Sequence, residues 1–548
     1  MTTLDPVLAA PEEFSWSDAL VDLGWSGGED PDLGWTMVGR HVAAGRGGET
    51  AVHWVGADGT ERRVTFAELD NESARVANVL RGRGIGLGDR VATVLPRVPL
   101  TVAIMIGVLR AGAILVPIFS GFGIDAVSYR LSHSGAKVAI AAGRYRDVIV
   151  ANGVDVLTLR EAGHEWREGD GDLADLMDAA PDVAPGERRA RDAPAFIVYT
   201  SGSTGQPKGC VIAANFLSAM WPYARFALGL RRDDVFWPTG DPSWGYGLCC
   251  YLPSLALGIG VISVERNASA QLTLDLIHRL GVTNLATTPT VLRSLMAEQP
   301  PGPGTGLRAI SSCGEPLNRP IVEFFRDGWG VVPMDHFGAT EMGLPICNHN
   351  AFDRPVRPGS MGIPTPGQEV AVVDESGTPM PIGKVGLLGH RPHDGSRYFL
   401  RYWENPEATE GLQRDGWTCP GDLVRRDADG YFWFEGRSDD IIKSAGYRIG
   451  PFEVESAILK HPDVVEVAVV GVPDPVRGQI IKAFVVLAPQ SVRRAELCDE
   501  IVAITREHCG RHVYPRAIGF LDALPKTDTG KIQRFRLRSL DASKGERA

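Results

Sequence analysis

The run Tyr199-Thr200-Ser201-Gly202-Ser203-Thr204-Gly205-Gln206-Pro207-Lys208-Gly209 begins where the apolar stretch 195–199 ends. That order predicts a buried strand ending directly in a polar loop, with a helical pattern after it. Glycines let successive backbone N–H groups turn toward one point. Thr200, Ser201, Ser203 and Thr204 add hydroxyl donors, Lys208 adds a positive charge, and together with Gly202 and Gly205 they make a phosphate cradle. The loop differs from the common Gly-Lys-Ser/Thr phosphate loop, because Lys208 stands between Pro207 and Gly209. A flexible Ser/Gly linker is the competing reading, but linkers rarely follow a buried strand or end in Pro-Lys-Gly.

Outward from this loop the pattern alternates. Helical periodicity over 65–81, 101–110 and 126–134 interleaves with β-rich runs at 90–95, 113–117 and 137–141. Alternation of this kind implies βαβ units and sheets covered by helices, an α/β class. The stretch 161–192, acidic and spotted with proline, reads as a surface connection. Gly82–Gly88 (GRGIGLG) follows a helix and precedes a strand, the wrong order for a dinucleotide loop, and reads as a helix stop and turn. From residue 439 the pattern restarts: helix over 452–459, β-rich runs at 464–472 and 481–487, helix over 494–508. This predicts a large N-terminal domain, 1–438, and a small α+β domain, 439–548.

The 548 residues exceed the ~250–300 at which single domains usually stop growing. With 44% hydrophobic and 22% charged residues, the composition is globular. A formal net charge of −11 argues against a nucleic-acid partner, without excluding a phosphate-rich ligand held by local dipoles. The eight cysteines show no CxxC and no zinc spacing with histidine, which suits free thiols in a reducing cytoplasm. The opening MTTLDPVLAAPEEF is acidic and lacks an apolar core, unlike a signal peptide. The uncharged stretch 247–264 contains Pro253, Gly258 and Gly260 and reads as a buried helix, turn and strand rather than a membrane span.

Further motifs follow in order: Gly314-Glu315-Pro316, Asp335-His336-Phe337-Gly338-Ala339-Thr340-Glu341, Gly421-Asp422, Gly436-Arg437-Ser438-Asp439-Asp440, Ser444-Ala-Gly446-Tyr-Arg448-Ile-Gly450 and Pro525-Lys-Thr-Asp-Thr-Gly-Lys531. Taken alone, Thr340-Glu341 could equally cap a helix, and Gly421-Asp422 could be an ordinary turn. With the phosphate loop, the set resembles the signature of the adenylate-forming superfamily, which holds acyl-CoA synthetases, carrier-loading adenylation domains and beetle luciferases. The likeness runs over nearly the whole chain.

That resemblance implies an enzyme that activates a carboxylate with ATP and Mg²⁺ and passes the acyl group to coenzyme A. It implies Thr340 near the α-phosphate, Glu341 as the metal carboxylate, and Lys531 as the cation between carboxylate and α-phosphate. Adenine and ribose contacts fall at Gly314, Glu315, Pro316, His336, Phe337, Asp422 and Arg437. Phe337 stands where relatives have Tyr or Trp, so stacking is kept and a phenolic hydrogen bond is lost. Asp439 matches the family's hinge, about which the small domain rotates between half-reactions. Gly446, Arg448 and, by spacing alone, Arg506 match coenzyme A contacts.

The segments Phe14-Ser-Trp-Ser-Asp-Ala-Leu20 and Asp241-Pro-Ser-Trp-Gly-Tyr246 resemble the acetyl-CoA and medium-chain acyl-CoA synthetase branches. On that likeness Trp244, Gly245, Tyr246, Cys313 and Gly338 line the acyl pocket. Acetate enzymes place a tryptophan where Gly338 stands, so an open pocket floor and a short-to-medium aliphatic acid are expected. An aryl acid, stacked on Trp244 or Tyr246, is the second reading. An acyl or peptidyl carrier protein is the alternative acceptor. No carrier domain is expected, since no Leu-Gly-Gly-x-Ser stretch follows Lys531.

Overall fold

The computed structural model describes residues 14–25, 31–160, 171–200, 206–266, 269–298, 306–315, 317–393, 396–438, 440, 442–444, 447–474, 477–489, 491, 496–509, 513–526 and 532–545. Packing divides the chain into two compact units. One comprises 1–200, 207–369 and 390–411; the other comprises 201–206, 370–389 and 412–548.

The first unit is α/β, and local sequence explains its elements. Thr65 caps the helix Phe66–Gly82, and Glu68 returns its carboxylate to the Thr65 N–H at 2.7 Å. This reciprocal pair satisfies two otherwise unpartnered donors. The helix stops at the glycine-rich turn, where Gly84 and Gly88 take φ of 74° and 80°, and a strand follows over Arg90–Leu95.

An eight-stranded sheet runs in the order Phe399–Tyr402, Lys208–Ala213, Pro194–Thr200, Ile114–Phe119, Arg90–Leu95, Val138–Ala142, Asp155–Leu159, Gly171–Asp172. Its strands are parallel from Pro194–Thr200 onward, and the pairs at the other edge are antiparallel. Val138–Ala142 is buried throughout, as a parallel strand covered on both faces should be. A second sheet orders Glu61–Thr65, Thr50–Val55, Val261–Val264, Phe236–Pro238, Asn284–Thr287, Ala309–Cys313, Pro333–Ala339, Gly343–Cys347, Ser360–Pro364.

Two local expectations are corrected. The phosphate loop does not precede a helix: Lys208 opens the strand Lys208–Ala213, antiparallel to Pro194–Thr200, and a helix begins only at Phe216. The β-branched pair Val211-Ile212 favours the pleated surface. Within the expected surface connection, 171–192 contains a short strand and the helix Leu173–Ala179, capped by Asp172. Buried Arg189 there donates to the carbonyls of Leu109 and Ala113. Residues 161–170 lie outside the described residues.

The stretch 247–264 forms the helix Gly245–Ala256 and the strand Val261–Val264. No helix among the described residues is long and apolar enough to cross a membrane.

In the second unit the hairpin Asp422–Arg426/Phe432–Arg437 pairs with the strand that starts at Val385. A five-stranded sheet, including Val464–Asp474 and Gly478–Leu487, packs with the helices Pro451–Ile458 and Leu497–Cys509 around Val454, Ile458, Val469, Val485 and Ile501.

Candidate active site

Strand ends of the first unit bring together the described residues that flank the expected phosphate loop. Thr200 closes one strand and Lys208 opens the next, opposite it in register. Ser201, Gly202, Ser203, Thr204 and Gly205 lie outside the described residues. Thr340 and Glu341 occupy the turn between Pro333–Ala339 and Gly343–Cys347, closed by the Met342 N–H to Ala339 carbonyl bond at 3.0 Å. They therefore join two strands and cap no helix. Glu341 Oε1 accepts the Tyr402 hydroxyl at 2.6 Å, and the Lys208 ammonium lies 5.0 Å from the centre of the Tyr402 ring. Cys210 pairs with Tyr402 across the sheet edge. Burial, then the neighbouring Glu341 carboxylate, push its thiol well above the usual range.

The expected acyl wall is partly assembled. A Cβ on Gly245 would stand 3.7 Å from the Thr340 hydroxyl, so this segment abuts the Thr340-Glu341 turn. Cys313, His336 and Cys347 sit side by side on three adjoining strands. Tyr223 donates or accepts at His336 Nδ1, 3.1 Å away. The Tyr246 hydroxyl is buried beside Tyr223, Cys250 and Cys313, and burial raises its pKa well above the ordinary phenol value. The Trp244 ring packs on Phe119 and Phe122, at 5.4 and 5.3 Å.

Gly338 requires a correction. It lies at the irregularity in register between Phe337 and Ala339. A Cβ there would run into the Gly343 carbonyl and stand 2.9 Å from Leu344 Cγ. The absent side chain serves close approach of backbone in the hairpin, so that direction is not open pocket floor.

Of the expected nucleotide contacts, Gly314 follows strand Ala309–Cys313 with φ of 105°, a conformation suited to glycine. The Glu315 carboxylate is held by Arg293 at 2.7 Å and Thr290 at 3.1 Å. Pro316 lies outside the described residues. Phe337 is half-buried, and His336 is buried with its imidazole toward Tyr223. Asp335 accepts the Leu317 N–H at 3.2 Å, and burial pushes its carboxyl up to about 7.

In the second unit, Asp422 and Arg437 face each other in register, with Arg437 Nη1 3.4 Å from Asp422 Oδ1. Gly421, at φ 101°, turns the chain into this strand. Arg506 stacks its guanidinium 4.0 Å above Tyr514, which Arg516 approaches at 4.7 Å. The Arg506 hydrogen bond lowers the Tyr514 pKa. Asp439, Gly446, Lys531 and the side chain of Arg448 lie outside the described residues.

Sequence reasoning missed Tyr402, Cys210, Tyr223 and Tyr514. No local pattern could have shown Tyr402, which reaches Glu341 across 61 positions.

A sequence profile of AMP-binding enzymes matches residues 39–398, and one of the AMP-binding enzyme C-terminal domain matches 453–531. The chain belongs to the AMP-binding enzyme family. Within it, the chain groups with adenylate-forming acyl-CoA synthetases. It is 34% identical to the acetyl-coenzyme A synthetase of Bacillus subtilis, covering 96% of this chain and 93% of that protein. The mitochondrial acyl-coenzyme A synthetase ACSM4 of Mus musculus is 35% identical, over 92% of this chain and 88% of that one. The crystal structure of a Brucella canis acyl-CoA synthetase superposes with a TM-score of 0.76 at 39% identity, covering 97% and 98% of the two chains. The anthranilate CoA ligase AuaEII, in complex with anthranoyl-AMP, gives 0.84 at 28% identity, covering 94% and 98%.

Proposed function

We propose that this enzyme is an AMP-forming carboxylic acid–CoA ligase acting in two steps. In the first, a carboxylate oxygen attacks the α-phosphorus of ATP, the bond to pyrophosphate breaks, and an acyl-adenylate forms. In the second, the coenzyme A thiol attacks the acyl carbon, AMP leaves, and the thiol proton passes to solvent. The observation that carries this reading is the Thr340-Glu341 turn set against Lys208 and Tyr402, within a family of AMP-binding enzymes.

In this reading Lys208 and the preceding loop hold the phosphates, and Thr340 hydrogen-bonds the α-phosphate. Asp422 grips the ribose hydroxyls, oriented by Arg437. Lys531 neutralises the repulsion between carboxylate and α-phosphate, as preorganised cations do in phosphoryl transfer. Gly446, Arg448 and Arg506 serve coenzyme A, and the small domain turns about Asp439. Glu341 offers a hard carboxylate oxygen beside the Thr340 hydroxyl. No group of three metal-binding side chains occurs among the described residues. This donor set fits Mg²⁺, which commonly takes one or two carboxylates plus substrate phosphates. When bound, Mg²⁺ supplies charge neutralisation on the phosphate oxygens. The acidic balance and eight free thiols suit a reducing cytoplasm.

The acid we favour is a short-to-medium aliphatic one, admitted beside Tyr246 and Cys313. The aromatic group Trp244, Phe119 and Phe122 favours an aryl acid as the second reading, in line with the anthranilate CoA ligase structure. A pyrophosphate-release screen over acetate, acids of about four to eight carbons and benzoates, with and without coenzyme A, tests both. The longer aliphatic acids should exceed acetate in kcat/KM by about 10-fold. Pyrophosphate release without thioester would redirect the acceptor to a carrier protein, and silence with every acid would reject the ligase reading.

A further inference from the structure

Two opposite charges belong to the phosphate end of this site, and one side chain stands between them. Tyr402 ends the edge strand Phe399–Tyr402, its phenol donates to Glu341 Oε1 at 2.6 Å, and its ring underlies the Lys208 ammonium at 5.0 Å. Among the described residues, Lys208 makes no ion pair with Glu341. We propose that Tyr402 is a positioning residue that holds the Glu341 carboxylate in place for a divalent cation while keeping it apart from Lys208. The inference rests on the reading of Glu341 as the metal carboxylate.

The physical case has three parts. Glu341 projects from a hairpin turn, whose backbone alone leaves its long side chain many rotamers. A hydrogen bond from a nearly buried phenol selects one of them; Tyr402 is 4% exposed. Its own backbone is fixed in turn, with its N–H donating to Thr409 Oγ1 at 3.0 Å. Second, a carboxylate has about four lone-pair sites, so the Tyr402 phenol and the neighbouring Cys210 thiol together leave room for a cation. Third, an ammonium and a carboxylate free to approach would pair, and the pair would neutralise the groups needed for phosphate and cation. An aromatic face attracts the ammonium without discharging it. Tyr402 thus supplies an edge donor to one charge and a face to the other.

The test uses the full chain with Mn²⁺ as an EPR-visible probe and ATP titrated with and without metal. Tyr402→Phe keeps the ring and removes the donor. It should weaken Mn²⁺ binding in the presence of ATP by about 10–100-fold, the usual effect of removing a partner behind a ligand, while metal-free ATP binding stays unchanged. Tyr402→Leu, which also removes the ring, should weaken metal-free ATP binding as well. Glu341→Gln is the reference. Wild-type Mn²⁺ affinity in Tyr402→Phe, with affinity lost in Glu341→Gln, overturns the inference and leaves the metal reading standing. Unchanged affinity in Glu341→Gln overturns both. Loss of metal-free ATP binding in Tyr402→Phe also counts against it, because the hydroxyl would then support the fold and not the cation.

Discussion

Asp335 carries its carboxyl into the sheet, and burial pushes its pKa from 3.8 up to about 7. Between about pH 4 and 7 the unfolded chain has lost this proton while the fold keeps it. The stability it contributes is complete below the unfolded pKa and is lost as pH rises through about 7. His336 and His349 work in the opposite sense. Burial lowers both from 6.5 to about 3, so their contribution is present above the unfolded pKa and is lost as pH falls toward about 3. Over pH 4 to 6.5 the carboxyl therefore offsets part of the histidine slope. Asp335→Asn removes that offset, worth at most about 4 kcal/mol for a shift of this size. The urea midpoint of the variant should climb more steeply from pH 4 to 6.5 than that of the unmutated enzyme. An unchanged slope would mean that Asp335 ionises near its ordinary value in the fold.

At the scale of elements, what could be read from the sequence was what is local. The Thr65–Glu68 capping box starts its helix as the spacing implied, and Arg90–Leu95 is the strand its apolar pattern predicts. The segment expected to bind phosphate comes after the strand Pro194–Thr200, yet the next described element, from Lys208, is a strand as well. A short β-branched run after a glycine carries too little periodicity to separate the two. Registers across strands were out of reach: Cys313, His336 and Cys347 meet because three strands align, and Tyr402 reaches Glu341 through the fold. Gly338 shows how this misleads. Its lack of a side chain reads as room for substrate, whereas the hairpin itself fills that space with Gly343 and Leu344. Gly338→Ala should accordingly lower the melting temperature, by overpacking worth about 1–3 kcal/mol, and depress kcat/KM for acids of every chain length alike. A loss confined to long acids, with melting unchanged, would instead restore the open pocket floor.

At the scale of the molecule, the proposed division of labour assigns adenylation and thioester formation to different arrangements of the chain around Asp439. The strand Phe432–Arg437 leads into this point, and Asp440 just beyond it is engaged by Arg538 and, at 3.8 Å, by Arg534. Arg534 also grips Glu455 with two hydrogen bonds, at 2.7 and 2.9 Å, so the C-terminal helix Arg534–Gly545 is tied to Asp440, the residue after the proposed hinge. Rotation about Asp439 would then carry the segment containing Lys531 with it. Two variants should separate the half-reactions in opposite directions. Lys531→Ala removes the cation proposed for the first step and should cut adenylate formation by about 10²–10³-fold or more. It should spare thioester formation from a supplied acyl-adenylate. Asp439→Pro fixes φ near −65° and should leave adenylate formation intact while coenzyme A transfer collapses, because one orientation is no longer reached. Stopped assays of pyrophosphate release and thioester formation read both steps on the same preparations. Equal loss of both half-reactions in Lys531→Ala would make that lysine structural. Normal turnover in Asp439→Pro would move the pivot elsewhere, and since Asp440 is the residue anchored to the C-terminal helix, Asp440→Pro is the next position to try.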